Sequence, residues 1–175
     1  CITPEGFTLW VERESSVMCN WHSNLNLPRN DVLVPTTFVS RIGMVVIAAE
    51  VLARGVKDDF MRDIGAIDTW NDVERKYIGV SAQEVCSAIF THWSFDPLMA
   101  EIVSASEDPK TAKAEIQSYA YALKIVHTVV HPDGKITNDS SGLATKLAEE
   151  AKFDCSILLN AIEKVVEPDP DTLKD

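Results

Sequence analysis

Two histidines one helical turn apart are the first candidates for chemistry in this sequence, His127 and His131. On a helix they would share a face, and imidazoles at this spacing can chelate a divalent metal ion. The residues between them supply no general base, however, and no third ligand accompanies them. His131 also precedes Pro132, where a helix is expected to end. The pattern therefore favours a polar pair at a helix end over a metal site.

The other histidines and an aspartate cluster are also explained without a site. His92 falls at the end of a predicted helix, where a cation complements the helix dipole, and His22 lies in a polar, solvated segment. Asp58, Asp59 and Asp63 have helical spacing, and paired carboxylates can hold Mg²⁺. The first two fall in the first turn of a predicted helix, where the dipole already favours acidic residues. Neither set predicts a metal or cofactor site.

The cysteines predict neither a zinc ribbon nor a disulfide framework, because none of the four lies in a CxxC pair and their spacings are wide. Cys86 and Cys155 fall in apolar helical stretches, where burial raises a thiol pKa and leaves the group inert. The sequence has no nucleophile elbow, P-loop or GxGxxG motif. We therefore expect no catalytic residue, no cofactor and no metal ligand.

The elements that would position these residues are predicted to be helices throughout, because apolar residues recur with a 3.6-residue period. The segment 36–54 is apolar nearly all round and is expected to be a central helix. Ser81 with Glu84 forms a capping box that opens another helix, and Asp96–Pro97 and Asp108–Pro109 are further helix starts. The fold class is predicted to be all-α, a compact multi-helix bundle in one domain over residues 1–167. Residues 168–175 are expected to form a frayed tail. The predicted helices are 7–25, 36–54, 57–67, 68–77, 81–93, 96–104, 108–130, 143–152 and 155–166.

Composition limits the class of partner. The chain has 175 residues and a formal net charge of −11, which disfavours nucleic acid and anionic membrane surfaces. No apolar run approaches the roughly 20 residues that span a bilayer, the longest being 44–49, and no signal peptide is recognisable. With reduced cysteines, these features predict a cytoplasmic protein.

One order of motifs is more specific than any single residue. The block ERKYIGV, which begins at Glu74, is followed by SAQEV and then by HWSFDPL at residues 92–98. The block FVSRIGMV precedes them at 38–45, and IVHTVV follows at 125–130. This order resembles the HDOD domain, the HD-related output domain of bacterial signalling proteins. The resemblance covers residues 7–130 and implies an all-α fold like that of HD domains.

The resemblance also identifies the positions where HD-type phosphohydrolases hold metal ions that activate water. Their adjacent His-Asp pair falls on Ser40 and Arg41, and their distant Asp falls on Val130. A further His falls near Ala82, and the first His falls near residues 13–15, where this sequence has none. An arginine places a fixed positive charge where the cation would sit. Degenerate ligands are themselves typical of HDOD domains, so the resemblance implies that the protein is not an enzyme.

The leading hypothesis is a non-catalytic bacterial signalling module that binds a protein partner or an attached regulatory domain. HDOD proteins usually carry an N-terminal helical lobe that is not visible here, so the chain resembles the HD-like lobe alone or a divergent member. Two alternatives stay open. One is a metal-dependent phosphohydrolase or cyclic-dinucleotide phosphodiesterase that uses His127, His131 or Asp133. The other is a sensor that binds a nucleotide or another anion at a remnant pocket near Arg41. The partner and the oligomeric state are left open.

Overall fold

The computed structural model describes residues 4–64 and 70–166 and confirms the all-α fold class. In those ranges the backbone forms ten α-helices, short 3₁₀ turns and one isolated antiparallel bridge between Val130 and Ile136. The helices are α1 (Pro4–Trp21), α2 (Leu33–Val39), α3 (Ile42–Ala53), α4 (Lys57–Asp63), α5 (Trp70–Ile78), α6 (Ala82–His92), α7 (Pro97–Ala105), α8 (Ala114–Val129), α9 (Asn138–Glu150) and α10 (Cys155–Glu163). The expected frayed tail at 168–175 lies outside the described residues.

The chain divides into two compact units. The first combines the described residues of Cys1–Val34 with those of Ile125–Asp175, and the second comprises the described residues of Pro35–Lys124. In the first unit α10 packs against α1 and α9. Its core is made by apolar side chains on those helices and on the end of α8, and Trp21 meets Phe153 edge to face at 5.4 Å. Burial of these side chains drives the packing of the unit.

In the second unit α6 packs against both α3 and α7, and α5 contacts α3 and α4. The predicted capping box opens α6: the Glu84 N–H donates to Ser81 Oγ at 3.2 Å, and the Ser81 N–H donates to Glu84 Oε2 at 2.6 Å. Asp96 caps α7 by accepting from the Leu98 N–H at 3.0 Å. Two helix starts read from side-chain chemistry are therefore correct.

The prediction of one central helix over 36–54 is wrong in two respects. The segment is divided between α2 and α3 by a turn at Ser40 and Arg41. It also has an outer face, since Phe38 is 62% exposed, Val45 51% and Leu52 61%. We call the exposed apolar residues of α3, which are Val45, Val46 and Leu52, the α3 stripe. An apolar pattern that is continuous around a helix does not say which side is covered.

Four other predicted boundaries differ from the structure. The helix from Lys57 ends at Asp63 because Ile64 is extended, and the N-cap expected at Asp68 lies outside the described residues. Asp108–Pro109 opens only a 3₁₀ turn, since Ala112 is extended and α8 begins at 114. The helix expected from 143 begins at 138, because Thr137 and Ser140 form a second capping box. The first helix ends at 21 and is followed by a 3₁₀ turn instead of reaching 25.

The segment Asn30–Ala53 is long and apolar enough to cross a membrane by length and composition, with a mean hydropathy of 1.9. This span was not predicted, because Ser40 and Arg41 interrupt the apolar residues of the segment. Core helices of soluble proteins pass the same test, and 39% of the window is buried. The buried, charged Arg41 lies in its middle. A cytoplasmic location stays a prediction.

Candidate functional site

The turn between α2 and α3 holds the two residues that the resemblance aligns with a metal-binding pair. The Ser40 hydroxyl donates to the Thr37 carbonyl at 2.8 Å, which satisfies a carbonyl at the end of α2. Ser40 is 5% exposed and Arg41 is 7% exposed. Arg41 precedes α3 directly, and its Nη1 approaches Met44 Sδ at 3.6 Å. The turn therefore carries a guanidinium into the interior of the second unit.

A glycine brings α6 against this turn. A Cβ on Gly43 would lie 1.9 Å from the carbonyl oxygen of Ala82, so only glycine allows the two backbones to approach so closely. Ala82 is the position where the resemblance expects a further histidine. The structure thus brings Ser40, Arg41 and Ala82 into one neighbourhood of the second unit. Arg41 and Ala82 offer no side-chain ligand for a metal cation, and the Ser40 hydroxyl is engaged with the Thr37 carbonyl.

The same neighbourhood contains a buried carboxylate that the sequence analysis named only as the start of a motif block, without a functional role. Glu74, on α5, is 2% exposed, and its Oε2 accepts a hydrogen bond from the Ala82 N–H at 2.6 Å. Burial raises the pKa of Glu74 to about 7, although the Ala82 hydrogen bond and the charge of Arg41 act to lower it. The available signal was its place beside Val73 on the apolar face of α5, where both residues are buried.

We call Arg41 and Glu74 the second-unit pair. Their charges attract each other inside the protein, where an unpaired ion would be costly. Cys86 lies nearby on α6, with its thiol donating to the Val39 carbonyl at 3.8 Å. Burial raises the pKa of Cys86 to about 12, so the thiol stays protonated at neutral pH and is a poor nucleophile. This neighbourhood therefore contains an electrostatic contact between Arg41 and Glu74 and an unreactive thiol.

The predicted aspartate cluster is engaged by cations in the second unit. Asp63 accepts from Lys76 Nζ at 2.5 Å and from the Tyr77 hydroxyl at 2.7 Å, and these hydrogen bonds lower its pKa. Asp59 pairs with Arg62 at 2.7 Å. The contacts of Asp63 join α4 to α5, whereas the Asp59–Arg62 pair lies within α4, and both support a structural role for these aspartates.

The first unit contains a different pair, Glu14 and His127. Glu14 lies in the segment where the resemblance expects the first histidine, and its side chain is completely buried. Its Oε2 lies 4.0 Å from His127 Nε2, and the histidine side chain is 11% exposed. Val130, aligned with the distant aspartate, is also completely buried. We call Glu14 and His127 the first-unit pair.

The two histidines that opened the sequence analysis have separate partners. His131 Nδ1 lies 3.0 Å from Asp133 Oδ1 in an exposed turn, whereas His127 faces Glu14. Burial acts to raise the pKa of Asp133, but hydrogen bonds from Lys135 and His131 lower it to about 2. Within residues 4–64 and 70–166 no three His, Cys, Asp or Glu side chains are grouped to hold a metal ion. The three residues named for the enzymatic alternative therefore form two separate contacts.

Comparison with known proteins supports the fold. No protein-family model matches the chain, and no curated protein matches it. A virulence factor from Campylobacter jejuni subsp. jejuni has a similar structure, with a TM-score of 0.72 and 22% sequence identity. The match covers 94% of this chain and 65% of that chain. This chain therefore spans about two thirds of that protein's length, and at this identity the likeness shows the fold alone.

Proposed function

We propose that this protein is a degenerate HDOD-like domain that acts as a non-catalytic regulatory module by binding another protein. The observation that carries the proposal is the buried Arg41 at the position of a metal-binding pair, with Glu74 as its electrostatic partner. Arginine stays charged at every physiological pH, so the position already holds a cation. The order of motifs around Glu74 and HWSFDPL supports the family assignment.

The non-catalytic part of the proposal is supported by the loss of ligand atoms at the other positions. Ala82 and Val130 offer none from their side chains; Glu14 does carry a carboxylate, but this group is paired with His127. Water activation by a metal needs a bound ion with an open coordination position. A helical domain that stays folded without metal ligands keeps its surface. Binding of a partner at that surface can shift the partner's conformational equilibrium.

Metal loading tests this part directly. The purified chain is incubated with Mn²⁺, Fe²⁺ or Zn²⁺, desalted and examined by elemental analysis, with hydrolysis of bis(p-nitrophenyl) phosphate and of a cyclic dinucleotide measured in parallel. We expect metal far below one ion per chain and hydrolysis at the buffer rate. A stoichiometric ion together with hydrolysis that His127→Ala abolishes would establish the enzymatic alternative instead.

Affinity capture tests the binding part. The full chain is immobilised and exposed to extract of its native cells, beside an unrelated acidic domain of similar size as a control. We expect a partner that the control does not retain at elevated salt. Recovery of nothing beyond the control would count against the proposal. The anion-sensor alternative is tested by a thermal-shift screen with nucleotides, since a ligand of the folded state raises its melting temperature.

A further inference from the structure

A groove of about 1180 Å³ runs beside α6, α7 and the start of α8 in the second unit. Its base includes the apolar side chains Phe95, Ala100 and Ile116. Pockets for drug-sized molecules usually measure about 300–1,000 Å³, so this groove has room for a short stretch of polypeptide. It is separate from the second-unit pair, since neither Arg41 nor Glu74 lines it.

An exposed tryptophan adjoins the groove, since the next two residues, Ser94 and Phe95, line it. Trp93 is 56% exposed, and its ring meets Phe95 edge to face at 6.0 Å. Phe95 in turn contacts the buried Phe90 at 5.1 Å, which fixes the aromatic cluster to the core. Ser94, between the two outer aromatics, has a left-handed backbone with φ of 57°, uncommon for a residue other than glycine. A large aromatic held in place at the surface is the kind of side chain that dominates binding energy at interfaces.

The charges around the groove select the partner. Among the described residues, its lining includes the acidic Glu101, Glu107 and Asp108 and the basic Lys113. Glu107 is engaged by Arg75 at 2.5 Å, whereas Lys113 lies 3.8 Å from Glu101 in an exposed pair that contributes little energy. The exposed carboxylates of Glu101 and Asp108 can therefore accept cations from a partner. The net charge of −11 would steer a basic partner toward the protein.

We infer that this groove binds a basic peptide segment, with an arginine or lysine over Trp93, further cations at Glu101 and Asp108, and an apolar side chain on the groove base. The inference rests on the proposed function, for which it names the surface and the chemistry of the partner. A cation over an indole ring is the most favourable cation–π arrangement. The neighbouring carboxylates stabilise the same cations, so the aromatic and acidic features act together.

The test uses fluorescence anisotropy with the full chain and a fluorescein-labelled peptide of alternating arginine and leucine. A peptide with glutamate in place of arginine is the negative control. We expect saturable binding of the basic peptide, and Trp93→Ala should weaken it about tenfold, as for an interface hot spot. Trp93→Phe should restore part of the affinity because it keeps an aromatic face. Thermal unfolding of each variant confirms that it is folded.

A matched pair of charge reversals separates the groove from general electrostatics. Glu101→Lys with Asp108→Lys should weaken binding about tenfold, whereas Glu12→Lys with Glu163→Lys changes the net charge equally and should change affinity less than about threefold. Glu12 and Glu163 are exposed and belong to the first unit. Equal losses in the two double variants would overturn the inference, as would unchanged binding by Trp93→Ala.

The capture experiment distinguishes failure of the inference from failure of the proposed function. If Trp93→Ala retains the partner while Leu52→Ala loses it, the docking surface is the α3 stripe; the inference then fails while the proposed function stands. If the unmodified chain captures no partner and hydrolyses phosphodiesters with bound metal, the proposed function fails. Loss of the partner by Trp93→Ala, with retention by Leu52→Ala, supports both.

Discussion

The two units each bury a carboxylate beside a nitrogen-bearing side chain, but the chemistry of the two contacts differs. In the second unit Glu74 has a guanidinium near it and accepts a hydrogen bond from a backbone N–H at 2.6 Å. In the first unit Glu14 has an imidazole 4.0 Å away, which is charged only when protonated. The second-unit pair thus contains a permanent cation, whereas the first-unit pair contains a conditional one.

This difference shows two ways of placing a nitrogen-bearing side chain beside a buried carboxylate. A permanent cation cannot give up its charge, so removing Glu74 leaves Arg41 as an isolated charge inside, whereas removing Arg41 leaves a buried carboxylate that must bind a proton to become neutral. A histidine can become neutral instead and avoid that cost. The second-unit pair should therefore be the more sensitive to substitution.

Removal of the permanent cation should have the largest effect. Arg41→Met retains a long side chain but removes the charge, which leaves Glu74 without its cation. We expect a loss of about 3–5 kcal/mol in unfolding free energy above pH 7. The loss should shrink near pH 5, where Glu74 is protonated. Urea denaturation measures both. Arg54→Ala, which breaks an exposed pair with Glu50 at 2.7 Å, is the control and should cost less than about 1 kcal/mol. Equal costs for the two variants would contradict the importance of the second-unit pair.

Disruption of the backbone contact between Gly43 and Ala82 should have the next largest effect on stability. Gly43→Ala places a methyl group against the Ala82 carbonyl, and we expect a loss of about 3 kcal/mol, since backbone on both sides must move. Gly142→Ala is the matched control, because a Cβ there meets nothing within 4 Å. It lies within α9 and should stabilise the protein by about 0.5–1 kcal/mol. Calorimetry would show the opposite shifts, and a neutral Gly43→Ala would indicate that the α3–α6 contact is loose.

Titration of Glu74 should make the unfolding free energy depend on pH. Its pKa is about 7 in the folded protein against an ordinary 4.5, so the folded state binds more protons between these values. The resulting stabilisation is complete below about pH 4.5 and is lost as pH rises through 7. Relative to Glu74→Gln, the unmodified protein should lose about 3 kcal/mol of unfolding free energy across that window. Denaturation midpoints at several pH values test this, and parallel curves for the two proteins would refute it.

The first-unit pair should give the smallest effect. His127→Leu removes the imidazole but keeps an apolar side chain of similar size, and we expect a loss of about 1–2 kcal/mol, since one buried polar group loses a partner. Urea denaturation at the same pH as for Arg41→Met allows direct comparison. A loss as large as that of Arg41→Met would mean that Glu14 and His127 form a tight ion pair and that the contrast between the units is wrong.

Hydrogen bonds between near neighbours were enough to predict where several helices start. The capping box at Ser81 and the N-cap at Asp96 depend on side chains and backbone groups within three residues, so sequence order alone specifies them. The start at Asp108 failed although its dipeptide is the same as at Asp96, because the chain turns extended at Ala112. The same Asp-Pro dipeptide therefore opens an α-helix in one place and a 3₁₀ turn in the other, because different residues follow it.

The candidate site was predicted in part. Ser40, Arg41 and Ala82 were named through motif order, and the structure does bring them together. Glu74 was missed as a functional residue because its importance comes from contacts with Ala82, eight positions away, and with Arg41 on a third segment. Glu14 was missed for the same reason, since its partner lies more than a hundred residues along the chain. Such contacts leave no periodic signal in the sequence.

By itself the sequence determined that the chain is helical, where many helices begin, and which types of residue occupy the aligned positions. Those properties follow from apolar periodicity and from hydrogen bonds between near neighbours. Only the tertiary structure decided which carboxylate meets Arg41, that Trp93 stands exposed beside a groove, and that one side of α3 is uncovered. These depend on how separate helices pack, because burial and the pKa shifts it causes are set by neighbours distant in sequence.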